Sequence, residues 1–226
     1  MKTRRYVFLV SGGGGNLRVL AQLLALGLLE GELVGVLADR ACPALSWAQQ
    51  KGIFAQQISY RQSQAEDLRW HLAQLQADLI ITNIHKIIDA QTLAQFAQAH
   101  WVNLHYSLLP AFAGLIGLAP LKAAKKQNLP FFGASAHLVE AQVDAGPILA
   151  QGIFATDWEK KSEKAHIEQT FRAGALALWA ALAQLEGQNL MEAAEDVYWE
   201  NGQSIRLHPA PKIPEQLRQE AFWQSI

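Results

Sequence analysis

Along the first half of the chain, short apolar runs alternate with longer stretches of helical period. Tyr6–Val10 precedes Leu17–Leu29, Leu33–Leu37 precedes Pro43–Lys51, and Phe54–Gln57 precedes Gln64–Gln76; Leu79–Thr82, Asp89–Gln98 and Trp101–Leu104 continue the series. Repeated strand-then-helix order predicts an α/β fold with a mostly parallel, twisted sheet and helices on both faces. Right-handed crossovers place the strand C-termini along one edge. Ser11, Asp39, Asn83 and Asn103 are therefore expected on a common rim, the usual ligand edge of parallel sheets.

After Pro110 the pattern changes. Ala119–Gln127 reads as a helix and Phe131–Leu138 and Ile148–Phe154 as strands. Ser162–Leu185 reads as a long helix whose apolar stripe is Ile167, Phe171, Ala175, Leu178, Leu182 and Leu185. Val197–Glu200 and Gln203–Arg206 flank Asn201-Gly202, a hairpin signal because both turn positions favour positive φ. No repeat or linker divides residues 1–226, which read as one domain with a core at 6–185 and a hairpin and tail at 186–226. The Pro-containing tail from His208 reads as loosely attached.

Half of the 226 residues are hydrophobic, enough for a sizeable core. A net charge of −1 gives no electrostatic reason to expect nucleic acid or an anionic membrane, so small molecules are the expected partners. No apolar run approaches the ~20 residues of a membrane span. The lone Cys42 makes no internal disulfide, which points to a reducing, cytoplasmic setting. Seven histidines fall in no metal-binding spacing, and no metal is expected. His71, His100 and His166 read as surface positions, and Trp47, Trp70, Trp101 and Trp179 as packing residues.

Ser11-Gly12-Gly13-Gly14-Gly15-Asn16-Leu17 lies between the first strand and the first helix, where backbone N–H groups and a helix N-terminus hold phosphate. A dinucleotide fingerprint fails, because Leu17 or Arg18 stands where the third glycine belongs. A P-loop fails for want of Gly-Lys-Ser/Thr. A monophosphate or ribose-phosphate cradle remains.

The sharpest chemistry is Asn103-Leu104-His105-Tyr106-Ser107-Leu108-Leu109-Pro110, with Asp144 in Val143-Asp144-Ala145-Gly146-Pro147. Strand alternation turns Asn103 and His105 to one face. Pro110 then opens the strand into a loop, so a carboxamide and an imidazole stand at a strand end. A carboxylate on a second segment completes a set suited to one reacting carbonyl.

Three motifs, Ser-Gly-x-Gly-x-Asn-Leu, Asn-x-His-x-Ser-Leu-Leu-Pro and His-x-Val-x-x-x-x-Asp-x-Gly-Pro-Ile, resemble those of the folate-dependent formyltransferase family. Its phosphoribosylglycinamide branch is the most similar, over roughly residues 6 to 185. The resemblance implies a formyltransferase-like Rossmann variant that moves a formyl group from 10-formyltetrahydrofolate to a primary amine through a tetrahedral intermediate. It implies Asn103 as an oxyanion donor and His105 as oxyanion stabiliser and proton donor to the leaving nitrogen. Asp144 would raise the His105 pKa and hold a relay water, with Ser135 and His137 behind them. It further implies phosphate on Gly14, Gly15 and Asn16, and folate against His85, Lys86, Ile87, Ile88, Glu140, Ala141, Gln142 and Val143. Arg61 and Arg69 are within reach of the folate glutamate tail, but an arginine in a helix is usually solvated and that is the reading favoured for them. A phosphorylated amine, glycinamide ribonucleotide first, is the implied acceptor, and a monomer or homodimer the implied assembly.

Three segments depart from that branch. Asn83-Ile84-His85-Lys86-Ile87-Ile88 stands where Gly-Phe-Met-Arg-Ile-Leu is usual, and Lys86 lacks the arginine fork. Gly114-Leu115-Ile116-Gly117-Leu118-Ala119-Pro120-Leu121 lacks the usual histidines. Phe171-Arg172 replaces an acid on the long helix, with Glu168 the nearest carboxylate. These departures leave open a sugar-nucleotide N-formyltransferase, a 10-formyltetrahydrofolate hydrolase, or an inactive folate- or nucleotide-binding paralogue.

Overall fold

The computed structural model describes residues 3–62, 64–191, 194–199 and 202–226. It has the expected α/β class: a sheet with parallel strands, flanking helices, a long C-terminal helix and a β-hairpin. The residues cluster into two compact units, 1–103 with 138–143, and 104–137 with 144–226.

The first unit contains β1 (Arg5–Val10), α1 (Gly15–Ala25), β2 (Glu32–Ala38), α2 (Pro43–Gln50), β3 (Ala55–Gln57), α3 (Glu66–Leu75), β4 (Leu79–Asn83), α4 (Ala90–Gln95) and most of β5 (His100–His105). Its strands pair in parallel in the order β3-β2-β1-β4-β5. Tyr6 to Val10 are all buried, so both faces of β1 are covered, as a central parallel strand requires. Val7, Leu9, Leu37, Ile80 and Trp101 join Leu68, Leu72 and Leu75 of α3 in one apolar cluster. The order reverses between β1 and β4, which makes their C-terminal ends a topological switch point. Ser11, Asp39 and Asn83 leave the ends of β1, β2 and β4 there, as the rim expectation required.

The helices of this unit are shorter than the apolar pattern suggests. The first ends at Ala25 rather than Leu29, with Gly27 at φ 67° beyond it, a glycine-tolerated left-handed stop. The fourth is capped by Asp89, whose side chain accepts from the Thr92 N–H, and ends at Gln95.

The second unit holds the end of β5, then α5 (Ala119–Lys126), β6 (Phe131–Leu138), β7 (Ile148–Ala155), α6 (Glu163–Leu185), β8 (Leu190–Met191), β9 (Glu195–Tyr198), β10 (Ser204–His208), β11 (Ala210–Pro211), α7 (Glu215–Arg218) and α8 (Glu220–Gln224). Strands β6-β7-β10-β9 pair antiparallel. The hairpin strands β9 and β10 pair as expected, with Gly202 at φ 77°; Glu200 and Asn201 lie outside the described residues. Ser162 caps α6 through the Ala165 N–H.

Two expectations fail here for one reason. The tail from His208 is not loose: Ile213, Leu217, Phe222 and Trp223 are buried. Correspondingly, α6 has no simple stripe, since every residue from Arg172 to Ala183 is buried while Ile167 is 37% exposed. Tail and helix are joined at Arg172. Its guanidinium lies 5.3 Å from the Trp199 ring and 5.4 Å from the Trp223 ring, and donates to Glu220 Oε2 at 2.8 Å. This buried guanidinium thus anchors the tail onto α6. His166 is likewise not at the surface: it is 1% exposed and stacks on Trp158 at 4.4 Å. Trp70, expected to pack, is 60% exposed.

Candidate active site

A buried polar cluster forms in the second unit around His105, which is 7% exposed. Its Nδ1 lies 3.3 Å from Asp144 Oδ2, and its Nε2 lies 3.2 Å from the Phe112 carbonyl. His137 Nε2 lies 3.6 Å from the other Asp144 oxygen, and the Gly114 N–H donates to Asp144 Oδ2 at 2.8 Å. Asp144 itself has φ 55°, a left-handed conformation that aspartate tolerates better than most residues. A bent backbone therefore aims this carboxylate between two imidazoles.

Ser135 acts on the loop rather than on the cluster. Its Oγ donates to the Ser107 carbonyl at 2.8 Å and accepts from the Leu109 N–H at 2.9 Å and Gln151 Nε2 at 2.8 Å. This single hydroxyl fixes the turn that leaves β5 after His105. The serine was legible as a supporting residue; the Phe112 carbonyl and Gly114 amide are backbone groups, which no residue-type motif reports.

Both His105 nitrogens face acceptors, which favours the doubly protonated ring. Burial opposes this and prevails, so the His105 pKa lies below its ordinary value although Asp144 and the Phe112 carbonyl pull it up. Asp144 does pull the His105 pKa upward, as expected from its charge, but desolvation outweighs it and the net shift is downward. For Asp144, burial is again the largest single influence and pushes upward. The bond from His137, the Gly114 N–H and the charges of both imidazoles together outweigh it, and the carboxyl sits below its usual range.

Asn103 belongs to the first unit, two residues before His105 on β5. The Thr82 hydroxyl donates to its Oδ1 at 3.2 Å, which leaves the NH₂ as the donor end of the carboxamide.

Also in the first unit, the glycine loop is a defined structure. Gly14 has φ 77°, and a Cβ there would sit 2.8 Å from the Ala44 Cβ; the Ala44 N–H holds the Gly12 carbonyl at 3.3 Å. Helix α1 has no side-chain cap and no acid in its first turn, so its N-terminal donors meet no carboxylate of their own helix. Asn16 Nδ2 donates to Asn83 Oδ1 at 3.4 Å, and the Ser11 hydroxyl accepts from the His85 N–H at 2.8 Å.

The 85–88 segment is exposed at His85, Lys86 and Ile87 and buried at Ile88, which packs in the apolar cluster. Tyr60, unmarked in the sequence, ties the segment down: its hydroxyl donates to the Ile87 carbonyl at 2.8 Å and accepts from the Asp89 N–H at 3.0 Å. Burial and the Asp89 charge push that phenol up to about 12, so it stays protonated. Glu140, Ala141, Gln142 and Val143 are all exposed after β6.

A cleft of about 660 Å³ opens at the ends of β2 and β3, lined by Asp39, Arg40, Tyr60, Arg61, Asp67 and Lys86 among others. Burial pushes Asp39 upward. The Arg40 fork, the Ser11 hydroxyl and the Lys86 charge outweigh it, keeping this carboxylate below its usual range. Arg61 lines the cleft, whereas Arg69 is committed to Asp89 and Glu66 at 3.3 and 3.0 Å.

A family model described as formyl transferase matches residues 4–175. A phosphoribosylglycinamide formyltransferase of Mycobacterium tuberculosis is 34% identical over 154 residues, 65% of this chain and 69% of that protein. A formyltetrahydrofolate deformylase of Haemophilus influenzae is 28% identical over 85 residues, 38% of this chain and 29% of that protein. Among solved structures, glycinamide ribonucleotide transformylase 1 of Symbiobacterium toebii superposes with a TM-score of 0.74 at 25% identity, covering 84% of this chain and 91% of that one. No described helix is long and apolar enough to cross a membrane.

Proposed function

The chain belongs to the formyl transferase family, whose co-substrate is formyltetrahydrofolate, and from that premise we propose that it formylates the primary amine of a phosphorylated acceptor, glycinamide ribonucleotide first. The observation that carries this reading is the His105–Asp144 pair, buried, 3.3 Å apart and bracketed by the 112–114 backbone. The whole chain is taken as one formyltransferase domain, and the family match runs from the first unit into the second.

In the proposed reaction the amine attacks the formyl carbon of 10-formyltetrahydrofolate. The Asn103 NH₂ donates to the oxygen as it becomes an oxyanion, as preorganised donors do. The attacking nitrogen must lose a proton and the folate nitrogen must gain one. A histidine whose pKa is depressed rests neutral near pH 7, so His105 is suited to take the first proton and deliver it to the second. Asp144 stabilises the transient imidazolium, and His137 holds Asp144 from its other oxygen. No covalent enzyme intermediate is required. Gly14, Gly15 and Asn16 take the acceptor's phosphate; His85 to Ile88 and Glu140 to Val143 take the folate, largely through backbone groups.

A second reading, hydrolysis of the formyl donor, is favoured by one observation. Arg172, which stands where an acceptor-facing acid is expected, is 3% exposed and turned to Glu168, Glu220 and two tryptophans. The same feature admits an amine other than glycinamide ribonucleotide, such as that of a sugar nucleotide. Mixing the protein with 10-formyltetrahydrofolate, with and without glycinamide ribonucleotide, and following tetrahydrofolate release separates the readings. Acceptor-dependent release is expected; acceptor-independent release means hydrolysis, and none with any amine means a binding protein.

A further inference from the structure

We propose that Ser11 and Asn83 are positioning residues that lock the glycine loop and the 83–88 segment into one element, so that phosphate and folate each strengthen the binding of the other. The inference rests on the reading above, which gives phosphate to residues 14–16 and folate to residues 85–88.

The argument starts from topology. Strands β1 and β4 are parallel neighbours, with Val10 in register with Asn83, so the two loops leave adjacent strand ends at the switch point. Adjacent loops there normally diverge toward helices on opposite sides of a sheet. Here side chains bridge them twice. Ser11 Oγ accepts from the His85 N–H at 2.8 Å. At the other bridge, Asn16 Nδ2 donates to Asn83 Oδ1 at 3.4 Å.

The Ser11 bridge is braced from behind. A serine hydroxyl has one proton to give, and Ser11 gives it to Asp39, whose side chain is only 1% exposed. Arg40 fixes that carboxylate with a two-pronged contact at 3.1 and 2.7 Å. The hydroxyl therefore cannot rotate away from the His85 amide without breaking a charge-assisted bond. By contrast, a Cβ on Gly12 or Gly13 would meet nothing within 4 Å, so at these two positions the loop is held through its backbone, by the Ala44 N–H on the Gly12 carbonyl at 3.3 Å. Its position relative to residues 83–88 is set at its two ends, by Ser11 and Asn16.

An anion that orders the glycine loop consequently orders the segment offered to folate. Linkage makes the effect reciprocal: each ligand must strengthen the other by the same factor.

The test is titration of tetrahydrofolate into the full-length protein by calorimetry, with and without saturating inorganic phosphate, in the native chain and in Ser11→Ala, Asn83→Gly and Ser11→Thr. The native chain is expected to bind tetrahydrofolate about fivefold more tightly with phosphate, the lower end of usual coupling. In Ser11→Ala and Asn83→Gly the ratio falls to about one, and Ser11→Thr, which keeps the hydroxyl, retains it. A merely structural role would weaken tetrahydrofolate binding equally with and without phosphate and leave the ratio intact. Independent binding of both ligands to the native chain overturns the coupling, and an unchanged ratio in both disruptive variants overturns the role of Ser11 and Asn83 in it; both outcomes leave the ligand assignments standing. Failure of the native chain to bind either ligand overturns the ligand assignments, and the coupling with them.

Discussion

The polar cluster around His105 and the loops at the ends of β1 and β4 solve different problems. Around His105 the working groups are side chains, nearly sealed from water and each facing a named partner. At the β1 and β4 ends the surface is open, and what it offers is mostly backbone, held in place by Ser11, Asn16, Tyr60 and Asn83. Proton transfer needs particular functional groups at particular distances. Holding a phosphate or a flat heterocycle needs a shaped peptide chain, which many sequences supply.

The contrast breaks most directly if the sealed cluster is dispensable. His105→Ala and Asp144→Ala are each expected to lower kcat by about 10²-fold or more, the scale of lost acid–base help, with circular dichroism unchanged. Near-native turnover in either variant removes the distinction. The next effect is the pH profile. Because burial depresses the His105 pKa, protonation disables the shuttle only below the ordinary histidine value of ~6.5, and kcat/KM should then fall about tenfold per pH unit. The same depression makes the unfolded chain bind the proton first, so its contribution to stability is present above ~6.5 and drains away as pH falls. An acid limb centred above that value would show that Asp144 outweighs burial.

On the open side the effects are smaller and fall on binding. Gly14→Ala forces a Cβ at φ 77° to within 2.8 Å of Ala44, and a strain of about 1–3 kcal/mol is expected. Thermal denaturation should show a loss of several degrees, and the KM for the phosphorylated acceptor should rise more than kcat falls. Unchanged stability would mean that the loop relaxes freely. Lys86→Ala, an exposed cation at the cleft, should raise the folate KM a few-fold and leave kcat alone; a fall in kcat instead would place Lys86 in the chemistry.

The same division governs how much of the molecule was legible beforehand. Alternating apolar runs located the parallel strands to within a residue or two, because burial on both faces leaves an unbroken hydrophobic signal at β1 and β4. The pairing of His105 with Asp144 was legible because each is a distinctive group at a marked strand end or turn. The Phe112 carbonyl, the Gly114 amide and the clamp from Tyr60 were not, since they depend on where loops travel. The tail was misread because its apolar residues, Ile213, Leu217, Phe222 and Trp223, are spaced too irregularly to signal a helix, and because nothing in the sequence around Arg172 reports that Glu220 and Trp223 meet it. Burial also reversed the net direction for His105, an effect that residue types alone do not carry.

Gly152, Ala173 and Gly174 set a limit on how this chain can change. A Cβ on Gly152 would lie 2.5 Å from the Ala173 carbonyl, and one on Gly174 would lie 2.9 Å from the Tyr106 ring. Helix α6 thus rests on β7 backbone to backbone, with less than a methyl group of slack. Descendants of this sequence can exchange side chains along α6, but they cannot slide the helix over β7 without opening this contact. Its drift is confined to decoration on a fixed beam.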